Sequence, residues 1–255
     1  MNPRKILIAL SIIHQGNWNK IYYDLDHYQL PDMDMVEKIC SNIKCRVVTI
    51  CDADYPQYLK EIYKPPFVLF YYGDLSLIKD NSHNIAVVGS RNPGSFHLQK
   101  TRQLVNELAK ELVVVSGLAK GIDREAHVAT IESGGKTVAV LGTGLDMCYP
   151  SCNKDIYNKI KKEHLLISEY YGTFSPEIDQ FAFRNRLIVA MSNSVFIPHG
   201  NLRSGTSVSA NYALMSNKTI FCLPSDDVDN SLCDSIIRDG AILVRNSEDI
   251  LYELQ

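Results

Sequence analysis

The chain has 255 residues, and its 45% hydrophobic content is enough for one large α/β domain with a small appendage, which excludes a largely disordered protein. Twenty-six basic and 29 acidic residues give a net charge of −3, so any nucleic-acid binding must come from a local patch. The seven cysteines are odd in number and form no C-x-x-C pair, which argues against a zinc site or a disulfide framework and favours the cytoplasm.

The N-terminal part of the chain is predicted to be helical. Apolar spacing indicates helices over 5–14 and 32–40, joined by a polar and aromatic stretch. The apolar run Ile6 to Ile13 is eight residues long and lacks an A-x-A cleavage site, so we expect a buried helix rather than a secretory signal or a membrane span. A change of pattern then divides the chain into a small helical region, 1–44, and a main domain, 45–255.

The main domain alternates predicted strands and helices. Two strands, over 47–50 and 67–72, precede helical spacing over 97–110 and 122–133. Seven further strands are expected near 85–89, 112–116, 137–141, 165–168, 194–197, 219–223 and 241–244. Because continuous apolar strands alternate with helices, the sequence predicts an α/β fold with a doubly wound, mostly parallel sheet.

Small and hydroxyl residues follow the predicted strands. The first such turn is Gly89-Ser90-Arg91 and the second is Ser116-Gly117, with similar residues at 142–144 and 204–206. Glycine lets the backbone approach a phosphate, hydroxyls donate to its oxygens, and arginine can bind it through two hydrogen bonds. Any single turn would need the same residues for tight geometry and helix capping, but ligands of open α/β sheets bind where such strand ends meet. The cluster therefore predicts one shared phosphate-binding crevice.

Familiar nucleotide and cofactor motifs are absent from the sequence. There is no G-x-x-x-x-G-K-[ST], and the segment Gly142-Thr-Gly-Leu-Asp-Met147 has methionine where G-x-G-x-x-G needs its third glycine. We therefore expect neither a P-loop ATPase nor a dinucleotide enzyme, and no cofactor or metal ion.

An aromatic pair precedes two arginines in the segment Phe181-Ala-Phe-Arg-Asn-Arg186. Stacking faces beside positive charge suit single-stranded nucleic acid. In the alternative interpretation, a phenylalanine belongs to the core and the arginines pair with carboxylates such as Glu177 or Asp179. Arg184 and Arg186 are two residues apart, so a helix points them to different faces.

Taken in order, these motifs resemble the DprA/Smf family of DNA-processing proteins. The resemblance covers roughly residues 46–245 and is carried by Val88-Gly-Ser-Arg91, Ser116-Gly-Leu-Ala-Lys-Gly-Ile-Asp123, Leu166-Ile-Ser-Glu169, Arg184-Asn-Arg186, Arg203-Ser-Gly205 and Asp239-Gly-Ala-Ile-Leu-Val244. It implies an extended Rossmann-like domain that binds single-stranded DNA, forms a homodimer and helps to load a RecA-type recombinase in natural transformation. It implies a binding protein with no chemical step.

The resemblance also assigns DNA-facing residues. They are Gly89, Ser90 and Arg91 of the first turn, Ser116, Gly117 and Lys120 of the second, and Phe181 with Arg184 of the third segment. Sequence-tolerant binding at these positions would use phosphate contacts and stacking rather than contacts to base edges.

The sequence departs from the family pattern at four places. Lys120 stands where the family has arginine, His199 where it has glutamate, and Leu223-Pro-Ser225 where it has Val-Pro-Gly, while a Ser-x-Gly-x-Asn segment is lost around Asn230 to Asp234. Most departures fall on the later strands, so the resemblance leaves the dimer surface and the recombinase contact unspecified. The sequence ends at Gln255, after a short predicted helix, and we expect no winged-helix tail.

Two other functions use the same turns. One is a nucleotide-binding sensor domain, which needs only a phosphate crevice. The other is a LOG-like nucleoside monophosphate phosphoribohydrolase, whose P-G-G-x-G-T-x-x-E motif has a counterpart here at Arg203-Ser-Gly-Thr206 without the glutamate. The groups that could replace that glutamate are His127, His199, Asp123 and Glu169, although a lone histidine is more often structural.

Overall fold

The computed structural model describes residues 2–175, 178–225 and 231–254. The helical N-terminal region consists of α1 (Pro3–Ile13), α2 (Trp18–Asp26) and α3 (Met33–Ser41). Asn2, Asn17 and Asp32 cap them, each side chain accepting a hydrogen bond from a backbone N–H of the first turn. The predicted helices are confirmed, and the polar and aromatic stretch between them also forms a helix.

The main domain is built on one nine-stranded sheet. Its strands are β1 (Arg46–Thr49), β2 (Val68–Gly73), β3 (Asn84–Val87), β4 (Val113–Ser116), β5 (Thr137–Gly144), β6 (Leu165–Tyr170), β7 (Ser194–Ile197), β8 (Ile220–Cys222) and β9 (Ile242–Leu243). Their order is β1-β2-β6-β5-β4-β3-β7-β8-β9. The neighbouring strands β6, β5, β4, β3, β7, β8 and β9 are parallel to one another. At the other side of β6, β2 and β1 add antiparallel strands at the edge of the sheet. The predicted doubly wound, mostly parallel sheet is confirmed.

Helices cover both faces of the sheet. They are α4 (Ser95–Leu108), α5 (Ile122–Glu132), α6 (Lys154–Glu163), α7 (Ile178–Ala190), α8 (Gly205–Met215), α9 (Leu232–Arg238) and α10 (Glu248–Glu253). Side chains along β3 and the residue after it alternate between the two faces, since Ile85 and Val87 pack with α4 and α5 whereas Ala86 and Val88 pack with α7 and α8. This burial on both sides explains the continuous apolar runs of the strands.

The order of the strands reverses at β3. The chain runs outward from β3 through β4, β5 and β6, and then crosses back along α7 to place β7 on the other side of β3. The connections that leave the carboxyl ends of β3 and β7 consequently diverge and open a crevice, which is the usual ligand position in such a sheet.

The N-terminal region packs directly on the main domain. Leu7 and Ile8 of α1 lie in one apolar cluster with Phe70 of β2. The Trp18 Nε1–H donates to the Pro65 carbonyl at 2.8 Å, and the ring stacks on Phe67 with centroids 5.2 Å apart. The division at residue 45 stays a prediction. Throughout the described residues, every helix is too short or too polar to cross a lipid bilayer.

Candidate functional site

A cavity of about 720 Å³ occupies the crevice between the carboxyl ends of β3 and β7. Its walls come from the turn after β3, the start of α5, the start of α7, the loop after β7 and the first turn of α8. The lining consists of residues 88–92, Ala119, Asp123, residues 181–182 and 184–185, Ile188, Asn201 and residues 203–209. The sequence places the first turn, Phe181 and Arg184 at one site, and the structure brings them together there.

The first turn is held by backbone contacts to the neighbouring segments. The Ser90 N–H donates to the His199 carbonyl at 2.9 Å, and the Ser90 carbonyl accepts from the Ile122 N–H at 3.1 Å. A Cβ on Gly89 would lie 2.7 Å from the His199 oxygen and 2.6 Å from Ile122 Cγ1, so only glycine fits. The turn is therefore rigid, with the exposed side chain of Arg91 at its tip.

Positive charge faces the cavity from two walls. Arg91 lies with its guanidinium carbon 6.0 Å from the centroid of the Phe181 ring, within cation–π range. Arg203 is exposed on the opposite loop, immediately before α8. The first turn of α8 also lines the cavity, and the backbone N–H groups of a helix N-terminus favour an anion. This combination can hold a phosphate.

The second turn lies mostly beneath the cavity. Ser116 is fully buried, and its hydroxyl donates to the Val87 carbonyl at 2.6 Å. Gly117 is also buried, since a Cβ there would meet the Arg184 guanidinium and lie 2.8 Å from Asp123 Oδ2. Lys120 is exposed but does not line the cavity. The neighbouring residues Ala119 and Asp123 do line it.

Arg184 supports the second turn from below. The side chain is 5% exposed, and its Nη1 donates to the carbonyls of Gly117, at 2.9 Å, and Val140. Burial lowers the pKa of Arg184 to about 10, although the charge of Asp123 opposes this shift. Burial likewise raises the pKa of Asp123. The positive charge of Arg184 and the hydrogen bonds that the carboxylate accepts from backbone N–H groups oppose this shift. Of the residues expected to face DNA, Ser116 is fully buried beneath the cavity, whereas Arg184 is nearly buried within the cavity wall, and the polar groups of both side chains bind backbone carbonyls.

The other arginine of α7 forms a buried ion pair on a different face of the helix. Arg186 is 3% exposed, and it binds both oxygens of Glu169 at 2.6 and 2.7 Å. It also donates twice to the Lys64 carbonyl, at 3.0 and 3.2 Å. The prediction that the two arginines point to different faces is confirmed. The carboxylate partner is Glu169 of β6 rather than Asp179, and Glu177 lies outside the described residues.

Each of the four residues that could act in hydrolysis interacts with another residue of the protein. His127 is fully buried with Nδ1 2.7 Å from the Thr137 hydroxyl, and burial lowers its pKa to about 3. Glu169 is paired with Arg186, and Asp123 lies against Arg184. His199 holds the first turn through its carbonyl and places its ring 4.3 Å from that of His97. Within the described ranges, no group of three or more His, Cys, Asp or Glu residues could hold a metal ion.

Two residues of the site, Arg203 and Tyr149, were not predicted from the sequence. Arg203 lines the cavity but was not predicted as a site residue, although it belongs to the Arg203-Ser-Gly205 motif and directly precedes the turn at 204–206 that the sequence did indicate. Tyr149 was not predicted to belong to the site, yet its ring centroid lies 5.4 Å from that of Phe181. The position of Arg203 at the cavity and that of Tyr149 beside Phe181 both depend on how segments distant in the sequence pack together.

Comparisons with known proteins agree with this architecture. A family model described as DNA recombination-mediator protein A matches residues 46–255. DNA processing protein DprA of Streptococcus pneumoniae is 39% identical over 209 residues, which is 81% of this chain and 73% of that protein. DprA of Bacillus subtilis is 36% identical over 81% of this chain and 70% of its own length. The chain spans about half of Protein Smf of Synechocystis, with 38% identity over 52% of that protein.

Two solved structures share the fold. The structure of DprA from Streptococcus pneumoniae superposes with a TM-score of 0.81 at 36% identity and covers 88% of this chain and 81% of that one. DprA from Helicobacter pylori, whose structure describes a single-stranded DNA binding mode, gives 0.75 at 30% identity and covers 84% of this chain and 97% of that one. The chain therefore belongs to the DprA/Smf family of DNA-processing recombination mediators.

Proposed function

We propose that the crevice binds the backbone of single-stranded DNA without reading its sequence. The observation that carries this proposal is the position of Arg91 over Phe181, with 6.0 Å between guanidinium carbon and ring centroid, beside the first turn of α8. An exposed cation, an aromatic face and a helix N-terminus supply phosphate binding and base stacking together. The binding mode described for the Helicobacter pylori relative supports the same ligand.

Within this proposal the predicted site residues divide into two groups. Gly89, Ser90, Arg91 and Phe181 contact DNA, and Arg203 joins them. Ser116, Gly117 and Arg184 instead keep the second turn in position, since their polar groups are buried against backbone. Lys120 contacts a phosphate of the strand outside the cavity.

At the level of the cell, we propose that the protein protects incoming single-stranded DNA in the cytoplasm and, as a homodimer, helps to load a RecA-type recombinase during natural transformation. Membership of the recombination-mediator family supports this role. The protein acts by binding and carries out no chemical step. The contacts of His127 with Thr137 and of Glu169 with Arg186 support that statement, because neither side chain belongs to the lining of the cavity, where a substrate would have to bind.

A nucleotide-sensing domain is the second candidate, since a cavity of about 720 Å³ could enclose a mononucleotide. The deciding experiment titrates fluorescent oligo-dT by anisotropy at several salt concentrations, with duplex DNA and thymidine monophosphate as competitors. We expect micromolar or tighter oligo-dT binding that falls steeply with salt, weaker duplex binding and poor competition by the mononucleotide. Tight mononucleotide binding without oligo-dT binding at low salt would overturn the DNA proposal. Base release from nucleoside monophosphates would instead establish the hydrolase.

A further inference from the structure

The aromatic surface of the site continues past the cavity. Tyr149, in the loop between β5 and α6, is 50% exposed and lies beside Phe181, with ring centroids 5.4 Å apart and planes tilted by 38°. Phe181 in turn lies 6.0 Å from the Arg91 guanidinium carbon. Arg91, Phe181 and Tyr149 therefore form one row, whose last member stands outside the cavity wall.

The loop that carries Tyr149 is fixed to the second turn. The side-chain amide of Asn153 donates to the carbonyls of Leu118, at 2.9 Å, and Ala119, at 3.1 Å. Its backbone N–H donates to the Pro150 carbonyl at 3.1 Å. A ring presented by such a fixed loop loses little conformational freedom when a ligand stacks on it.

We propose that Tyr149 is a stacking subsite for a base of the nucleic-acid strand, adjacent to the phosphate position at Arg91. The strand leaves the cavity over Phe181 and passes the second turn, where Lys120 is exposed directly after Ala119. This path gives Lys120 a phosphate to contact. The subsite rests on the function proposed above and adds that the site contacts at least two consecutive nucleotides.

The test compares Tyr149→Ala and Tyr149→Phe with the unaltered protein. Oligo-dT carrying 2-aminopurine reports stacking through quenching of its fluorescence, and anisotropy reports affinity. We expect Tyr149→Ala to weaken oligo-dT binding about tenfold or more and to lose quenching at one position of the oligonucleotide. Tyr149→Phe should restore both, since the π-face remains, and competition by thymidine monophosphate should be unchanged.

Tyr252→Ala is the matched control, because that tyrosine is 78% exposed on α10 and belongs to no part of the site. It should bind and quench like the unaltered protein, and urea midpoints should show that all variants are folded. Oligo-dT affinity within twofold of normal and intact quenching in Tyr149→Ala would overturn the subsite. If Arg91→Ala binds oligo-dT more weakly than the unaltered protein in the same assay, the proposed function is retained even though the subsite is overturned. Failure of the unaltered protein to bind oligo-dT would overturn both proposals.

Discussion

Replacing Arg186 by methionine tests whether the second arginine of α7 serves the fold rather than DNA. The substitution keeps an unbranched side chain beside Phe183 but removes two bonds to Glu169, at 2.6 and 2.7 Å, and two to the Lys64 carbonyl. It leaves a carboxylate that is 6% exposed without its counter-charge. Loss of one partner of a buried ion pair costs about 3–5 kcal/mol. That is a large share of a total stability of roughly 5–15 kcal/mol.

The assay is equilibrium urea unfolding of Arg186→Met, Glu169→Leu and the double variant. We expect the double variant to lose less than the sum of the single losses, because the second substitution removes the stranded charge. Lys5→Met is the matched control: Lys5 pairs with Glu37 at 2.7 Å on the surface, and its loss should cost under about 1 kcal/mol. A loss below about 1 kcal/mol for Arg186→Met, or strictly additive losses, would refute the reasoning. So would a folded Arg186→Met protein with oligo-dT affinity reduced as far as in Arg91→Ala.

Three further outcomes are expected. Arg91→Ala should weaken binding to all single-stranded sequences alike and flatten the salt dependence, as an anisotropy series with dT, dC and mixed oligonucleotides can check. Unfolded His127 takes up a proton below about pH 6.5 but the folded form only near 3, so stability should fall as pH drops through that window. His127→Gln should remove up to about 1.4 kcal/mol per pH unit of that fall in urea titrations, and equal slopes would contradict the assignment. Gly89→Ala should cost roughly 1–3 kcal/mol in the same titrations because its Cβ would overlap Ile122; a neutral effect would show that the turn can shift.

The fold was accessible from the sequence because its strands are buried on both faces. Runs such as 85–89 are apolar without interruption, and the amphipathic helices between them show their own period, so element types and order follow directly. No local sequence pattern predicts the reversal of strand order at β3. It was not predicted, because it depends on which strands pair in the folded sheet.

The site was accessible only in part. Small residues at strand ends predict where a ligand binds, and the turns at 89–91 and 204–206 do line the cavity, whereas Ser116, Gly117 and residues 142–144 are not part of its lining. Whether a given polar side chain faces the ligand or the protein depends on the segments packed beneath it. Arg184 is buried where the carbonyls of Gly117, directly after β4, and of Val140 in β5 accept hydrogen bonds from its guanidinium. Its spacing from Arg186 predicts different faces but cannot tell which of them is exposed.

Lys64 connects two parts of the protein that are far apart in the sequence. Its carbonyl accepts from Arg186 of α7, while its ammonium donates to Asn19 of α2 at 2.8 Å and lies 5.5 Å from the Trp18 ring centroid. The helix that positions Phe181 is thus connected to the N-terminal helices through Lys64. We therefore expect removal of residues 1–44 to weaken DNA binding although every residue of the crevice is kept, which would make this region a remote determinant of affinity rather than an independent appendage.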